Sequence, residues 1–201
     1  MIDLNIVKTW AKNPFGYSIA PAKLSWIKEG SLILTGEDSI LDDAWSTSVG
    51  NKCRIGHRCH IGRDVILEDK SDIQNGVIIG EGTRIGSGTE IGADSQIGQN
   101  SSVGRDCILE RACSLPPGTF IGMRATLGER ARDPIDLGFV DGYRKCIAQV
   151  DGIAYIGAGC RWFTLDMAIK HWSNKPDRVQ TLALMMAAKE IARIKGWKAE
   201  V

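Results

Sequence analysis

The aliphatic residues of this chain recur every six positions. Stepping from Val49 gives Val49, Ile55, Ile61, Leu67, Ile73, Ile79, and so on without a slip to Leu127. A helical period of 3.6 does not produce this register, and neither does the simple alternation of a strand. The next position is most often Gly, as at Gly56, Gly80 and Gly98, with Glu68, Gln74, Glu110 and Pro116 as exceptions. Gly relieves steric conflict where a strand turns a tight corner. Two places before each aliphatic stands a small or β-branched residue such as Cys53, Cys59, Ser71, Thr83 or Cys107. Side chains two apart share a face of a strand, so this is a second inward slot with less room than the first. A fixed short period of this kind predicts a parallel β-helix.

The pattern over 49–128 resembles the hexapeptide-repeat family. That resemblance implies a mainly β fold, a left-handed parallel β-helix with three hexads to each 18-residue triangular coil. It also implies a homotrimer. The hexads fill four to five coils, a prism about 20 Å tall at the usual strand spacing.

The flanks leave the register. An open stack exposes unpaired strand edges, so both ends need covers. Residues 1–48, with "SWIKEGSLILTGEDSILDDAW", read as an irregular first coil plus a cap. Residues 129–142 are charged and contain Gly and Pro, and read as a connector. Residues 143–201 read as a β-hairpin followed by two helices. Asp151-Gly152 gives the hairpin turn. Thr164 is the N-cap of the first helix, Pro176 opens the second, and Gly196 follows its basic last turn. Val179, Leu182, Leu184, Met186, Ala188, Ile191 and Ile194 read as a broad apolar face on that second helix. The piece "DGIAYIGAGCRWFTLDMAIKHW" resembles a module appended to hexapeptide-repeat proteins of phages and prophages, which implies a mobile-element setting.

Composition narrows the picture modestly. Formal net charge is +1 over 201 residues, so no global field favours nucleic acid. The start has no apolar signal-peptide core, and no apolar run is long enough to span a membrane. Six cysteines without an export signal read as reduced thiols in a cytoplasm, that of a bacterial host for a phage-encoded chain. Cys53 and Cys107, like Cys59 and Cys113, share a column three coils apart, about 14 Å at strand spacing. That is too far for a disulfide.

The stretch "CRIGHRCHIG" concentrates candidate chemistry. Its cysteines fill the inward slot, whereas His57 falls on a corner and His60 on an outward flat position. Ligands on opposite sides of one wall cannot share a metal ion, so no metal site is expected. Zinc carbonic anhydrases of the same fold use three histidines. The spacing of His57, His60 and His171 does not match theirs.

"IGHRCHIG" is similar to the "I-A-H-D-C-x-V-G" segment of hexapeptide acyltransferases, including those acting on UDP-N-acetylglucosamine. The similarity implies that His57 is a general base, taking the proton of an acceptor as it attacks the acyl thioester of coenzyme A. Two departures stand out. The residue after the histidine is Arg58 rather than an acid, and no hexad carries an inserted loop to wall a cleft.

Lys52, Arg54, Arg58, His60, Arg63 and Lys70 suggest an anion-binding strip for a phosphate- or nucleotide-like ligand. Ile66, Ile78, Ile108 and Phe120 are apolar at outward positions, which suggests subunit contact. Three functions stay open. The first is a non-catalytic homotrimer binding a small anion or a partner between subunits, with no cofactor. The second is an acyltransferase using acyl-CoA and His57. The third is a structural phage component.

Overall fold

The computed structural model describes residues 2–42, 46–159 and 161–199. The six-residue ladder builds a mainly β, three-sided solenoid of about five coils. Its faces are designated I, II and III in the order the chain visits them from residue 40. Face I runs through Ile40–Leu41, His60–Ile61, Ile78–Ile79, Gln96–Ile97 and Ser114–Leu115. Face II runs through Ser48–Val49, Ile66–Leu67, Arg84–Ile85, Ser102–Val103 and Phe120–Ile121. Face III starts lower, at Leu32–Thr35, and climbs through Cys53–Ile55 and Asp72–Ile73 to Thr126–Leu127. Pairing between coils is parallel and in register, as in Ile79 with Ile61 below and Ile97 above.

Every ladder residue from Val49 to Leu127 is buried, none more than 3% exposed. Each such burial stabilises by about 1.5–3 kcal/mol, so the column supplies most of the apolar core. The small slot has a further job. Thr83 Oγ1 donates to Gly98 O at 3.0 Å, Thr89 Oγ1 to Gly104 O at 2.6 Å, and Cys59 Sγ to Gln74 O at 3.0 Å. Each donor reaches a corner carbonyl fifteen residues on. Ser, Thr and Cys suit the slot because they are small and can satisfy a carbonyl that would otherwise be buried unpaired.

Corners impose a second six-residue rhythm. The backbone is left-handed at Lys52, Arg58, Asp64, Lys70, Gly76, Gly82, Gly88, Asp94, Asn100, Asp106, Ala112, Gly118, Arg124 and Arg130. Gly, Asn and Asp tolerate that region; Lys, Arg and Ala sit there under strain. The Gly after each aliphatic answers a different need. A Cβ on Gly80 would lie 2.5 Å from Gln99 N in the coil above. Three of the exceptions reach upward instead. Glu68 Oε2 accepts Ser87 N–H, Gln74 Oε1 accepts Ala93 N–H, and Glu110 Oε2 accepts Glu129 N–H.

Both ends are covered. Below, Ile2–Asp3 pairs antiparallel with Ile40–Leu41, and the 3-10 turn Leu4–Thr9 buries Leu4 and Val7 in the column's core. Trp10 stacks on Trp26 at 5.7 Å. Above, the expected connector is largely a strand. Arg132–Val140 continues face I, Arg132 pairing with Ser114, and turns antiparallel into Tyr143–Val150. Its register shifts between Arg132 and Ile135 and between Asp136 and Gly138. Pro134 falls inside the first irregularity, where a missing N–H is tolerated. Ile153–Ala158 and Arg161–Thr164 extend the meander, with the hairpin turn at Asp151-Gly152.

The meander is two-sided. Cys146 and Ala148 join the column's core, whereas Ile147, Ala154 and Ile156 form a second core with two helices. Helix α1 is Leu165–Ser173, capped by Thr164 Oγ1 accepting Met167 N–H. Helix α2 is Val179–Lys195, preceded by a 3-10 turn at Pro176–Arg178 and closed by left-handed Gly196. The expected face of α2 is rotated and narrower. Thr181, Met185, Ala188 and Ala192 are buried, whereas Val179, Met186 and Ile194 are exposed. Asp141 explains the offset: its carboxylate accepts Thr181 N–H and Oγ1–H, which fixes the helix against the meander. Trp45 and Cys160 lie outside the described residues.

Candidate functional site

Faces and corners decide which candidates meet. His57 and Arg58 lie on the III/I corner, Arg63 on the I/II corner, and Lys52 and Lys70 on the II/III corner of adjacent coils. Arg54 projects from face III and His60 from face I. The single strip expected from sequence is therefore divided among three corners and two faces. Clustering within 52–63 along the chain does not survive the winding, because these dozen residues are spread over three corners and the two faces between them.

Arg54 and His57 do converge. They line a recess of about 440 Å³ with Thr35, Asp72, Gln74 and Asn75. The polar groups are oriented by backbone. His57 Nδ1 accepts Glu37 N–H at 2.9 Å. Asn75 Oδ1 accepts His57 N–H at 2.9 Å, and Gln74 Oε1 accepts Ala93 N–H at 3.2 Å. A neutral imidazole whose Nδ1 accepts carries its proton on Nε2, and an amide whose oxygen is oriented by a backbone N–H turns its NH2 outward as a free donor. Three of the polar side chains thus present donors. The acid, Asp72, lies 3.1 Å from the Arg54 guanidinium.

His60 has an orienting partner that sequence reading missed. Asp42 Oδ1 lies 2.7 Å from its Nε2, on face I. The two are eighteen positions apart, but the in-register partner of His60 is Ile40, twenty back, so Asp42 reaches the ring from two positions further along the coil below and regular stepping does not set it opposite. Arg54 and Asp72 obey the same offset.

A wall that the hexads lack comes from the N-terminal segment instead. Residues 23–31 bound a larger concavity of about 820 Å³, closed on the other side by Ile66, Glu68 and Asp69. His57 is not part of it.

The cysteines point inward. Cys53, Cys59, Cys107, Cys113 and Cys146 are buried free thiols. Burial pushes the Cys53 thiol up to about 11 and the Cys113 thiol up to about 12. The wall thus separates Cys53 and Cys59 from His57. Among the described residues no group of three or more His, Cys, Asp or Glu gathers as metal ligands, and no helix is long and apolar enough to cross a membrane.

Geometry and repeat define a hexapeptide-repeat β-solenoid. Residues 58–93, two coils, match the family described as "Bacterial transferase hexapeptide (six repeats)". Among solved structures, a mutant perosamine N-acetyltransferase from Caulobacter crescentus, in complex with CoA and GDP-perosamine, aligns at 13% identity. The alignment covers 54% of this chain and 47% of that one, with a TM-score of 0.41. UDP-N-acetylglucosamine O-acyltransferase from Moraxella catarrhalis aligns at 17% identity over 57% of this chain and 47% of that one, with a TM-score of 0.38. The chain spans about half the length of these structures. No curated protein sequence matches it.

Proposed function

We propose that this chain is a self-associating hexapeptide-repeat solenoid that binds a small anionic, phosphate-bearing ligand in the recess between Arg54 and His57. One observation carries the reading. His57, Gln74 and Asn75 each have an acceptor atom occupied by a backbone N–H, so with Arg54 they offer donors to whatever enters. Charge-assisted donors of this kind suit phosphate oxygens. Of the other sequence candidates, Lys52 and Lys70 flank a different corner, and Arg58, His60 and Arg63 lie outside the recess lining.

Exposed apolar residues on all three sides support self-association: Ile78 on face I, Ile66 and Phe120 on face II, Leu34 and Ile108 on face III. A homotrimer covers such residues on the two sides that each subunit turns to its neighbours, with ligand recesses beside its subunit clefts. Buried free thiols suit the reducing cytoplasm. The phage setting rests on the C-terminal resemblance alone.

Acyl transfer from CoA is the second reading, favoured by the family match that begins at Arg58, beside His57. It requires the Nε2 lone pair of His57, and hence the Nδ1–H tautomer with release of the Glu37 contact.

Thermal unfolding with orthophosphate, nucleoside diphosphates, CoA and acetyl-CoA tests both readings. A ligand at a hundred times its Kd stabilises by about 2.7 kcal/mol. The binder reading expects a rise in Tm with a phosphate-bearing ligand, lost in an Arg54→Gln/His57→Ala double variant, and no thiol release from acetyl-CoA. Absence of any shift, or a shift that persists in that variant, overturns it. Thiol release from acetyl-CoA that depends on an added amine or hydroxyl acceptor and is abolished by His57→Ala would establish transfer instead.

A further inference from the structure

The C-terminal module carries a basic cluster that the solenoid recess does not use. His171 lies in the last turn of α1, its ring stacked on Phe163 at 5.5 Å and edge-on to Trp172 at 4.9 Å. Two cations converge on one nitrogen of that ring. Arg161 NH1 lies 3.1 Å and Lys175 Nζ 2.9 Å from Nε2. Only the neutral imidazole has a lone pair to offer there. Desolvation, with the charges of Lys175 and Arg161, holds the His171 pKa below its ordinary value.

No described carboxylate neutralises the two cations. Among the described residues, no carboxylate lies within ion-pair distance of Arg161 or Lys175. Asp177, the nearest acid along the chain from Lys175, pairs with Arg178. The C-terminus of α1 supplies about half a negative charge, against two full positive ones. A single imidazole lone pair shared by a guanidinium and an ammonium leaves most of their donor capacity unused. An oxyanion matches it: the flat guanidinium fork takes two oxygens and the ammonium a third.

We propose that Arg161, His171 and Lys175 form a second binding site, for a small oxyanion such as phosphate or the phosphomonoester end of a larger ligand. The anion replaces Nε2 as the acceptor for both cations, while Phe163 and Trp172 keep the imidazole in place beside it. Binding is reversible, and no covalent bond is made or broken.

The test uses the full chain and the ring signals of its three histidines, assigned through H57Q, H60Q and H171Q. Orthophosphate and phenyl phosphate are titrated against sodium chloride at matched ionic strength, which separates free phosphate from a phosphomonoester. The expected result is a saturable movement of the His171 signals with at least one phosphate. It is weakened roughly tenfold or more in R161Q/K175Q and retained in H57A. The single variants R161Q and K175Q, each expected to weaken the response, keep the test decisive if the double variant folds poorly. A His171 response equal to that in chloride overturns the proposal, and so does one that survives both substitutions. Loss of phosphate binding at Arg54 and His57 would leave this outcome untouched.

Discussion

The backbone N–H of Glu37 donates to Nδ1 of His57 at 2.9 Å, one coil below. This bond places His57 in the role that Asn75 plays for His57 itself one coil up, where Oδ1 accepts a corner N–H. The imidazole is a corner acceptor before it is anything else. A general base at the same position would need its outward nitrogen unprotonated.

The first prediction concerns that proton. Ring 15N shifts of His57 at neutral pH will report the Nε2–H tautomer. His57→Ala will lower stability by about 0.5–1.5 kcal/mol through loss of one hydrogen bond, read from urea unfolding. An Nδ1–H tautomer would remove the donor argument and favour acyl transfer.

The column was legible because its two inward slots obey a rule no other fold imposes. Every ladder aliphatic is buried, and Cys53, Cys59, Cys107 and Cys113 fill the small slot. Less legible was what depends on winding. Arg54, Arg58 and Arg63 are close in sequence yet leave the solenoid in three directions, whereas Asp42 and His60 meet across a full coil. Residues 129–142 read as a connector in sequence because Asp133, Pro134 and Gly138 carry turn chemistry. The strand accommodates them at its two register shifts. On α2, apolar periodicity marked a wide stripe, but Asp141 pins Thr181 inward and so selects which part of that stripe is buried.

Thiol protection is the second prediction. Desolvation raises Cys53 from 9.0 to about 11 and Cys113 from 9.0 to about 12. The thiolate is the reactive form. In a Cys160→Ser background the native chain will react negligibly with a disulfide reagent at pH 8, and will titrate fully in denaturant. The folded pKa values lie above the unfolded ones, so the stabilisation is complete below pH 9. It is lost as pH rises from 9 through 11 to 12, because the unfolded chain then releases protons the folded chain keeps. A melting temperature that holds steady across that window would contradict the burial.

Corner chemistry gives a paired contrast. Gly80→Ala drives a Cβ to 2.5 Å from Gln99 N. The obstacle is backbone, which cannot rotate aside, so destabilisation of about 1–3 kcal/mol is expected from overpacking. Ala112 has the opposite defect, with φ at 57°. A left-handed L-residue is strained by about 1–2 kcal/mol. Gly loses more entropy on folding, by about 0.5–1 kcal/mol. Ala112→Gly will therefore gain on the order of 1 kcal/mol at most. Urea midpoints should move in opposite directions for the two variants.

The last prediction lies where the column meets its upper cover. Asp136 accepts Gly122 N–H at 2.5 Å and Gly138 N–H at 2.7 Å, and Arg144 NH1 reaches its two oxygens at 3.0 and 3.1 Å. The side chains are only 7% and 17% exposed. One carboxylate thus ties the topmost coil, through Gly122, to the first two strands of the meander. Removing it strands a guanidinium in a nearly dry site, and Arg144 Nε already has no partner. Breaking a buried pair from one side destabilises by about 3–5 kcal/mol, so Asp136→Ala should lower the urea midpoint sharply. Asp136→Ala/Arg144→Met should recover part of that loss, because no charge is then left buried alone. A double variant no more stable than Asp136→Ala would mean that the two Gly N–H bonds, rather than the ion pair, hold the cover to the column.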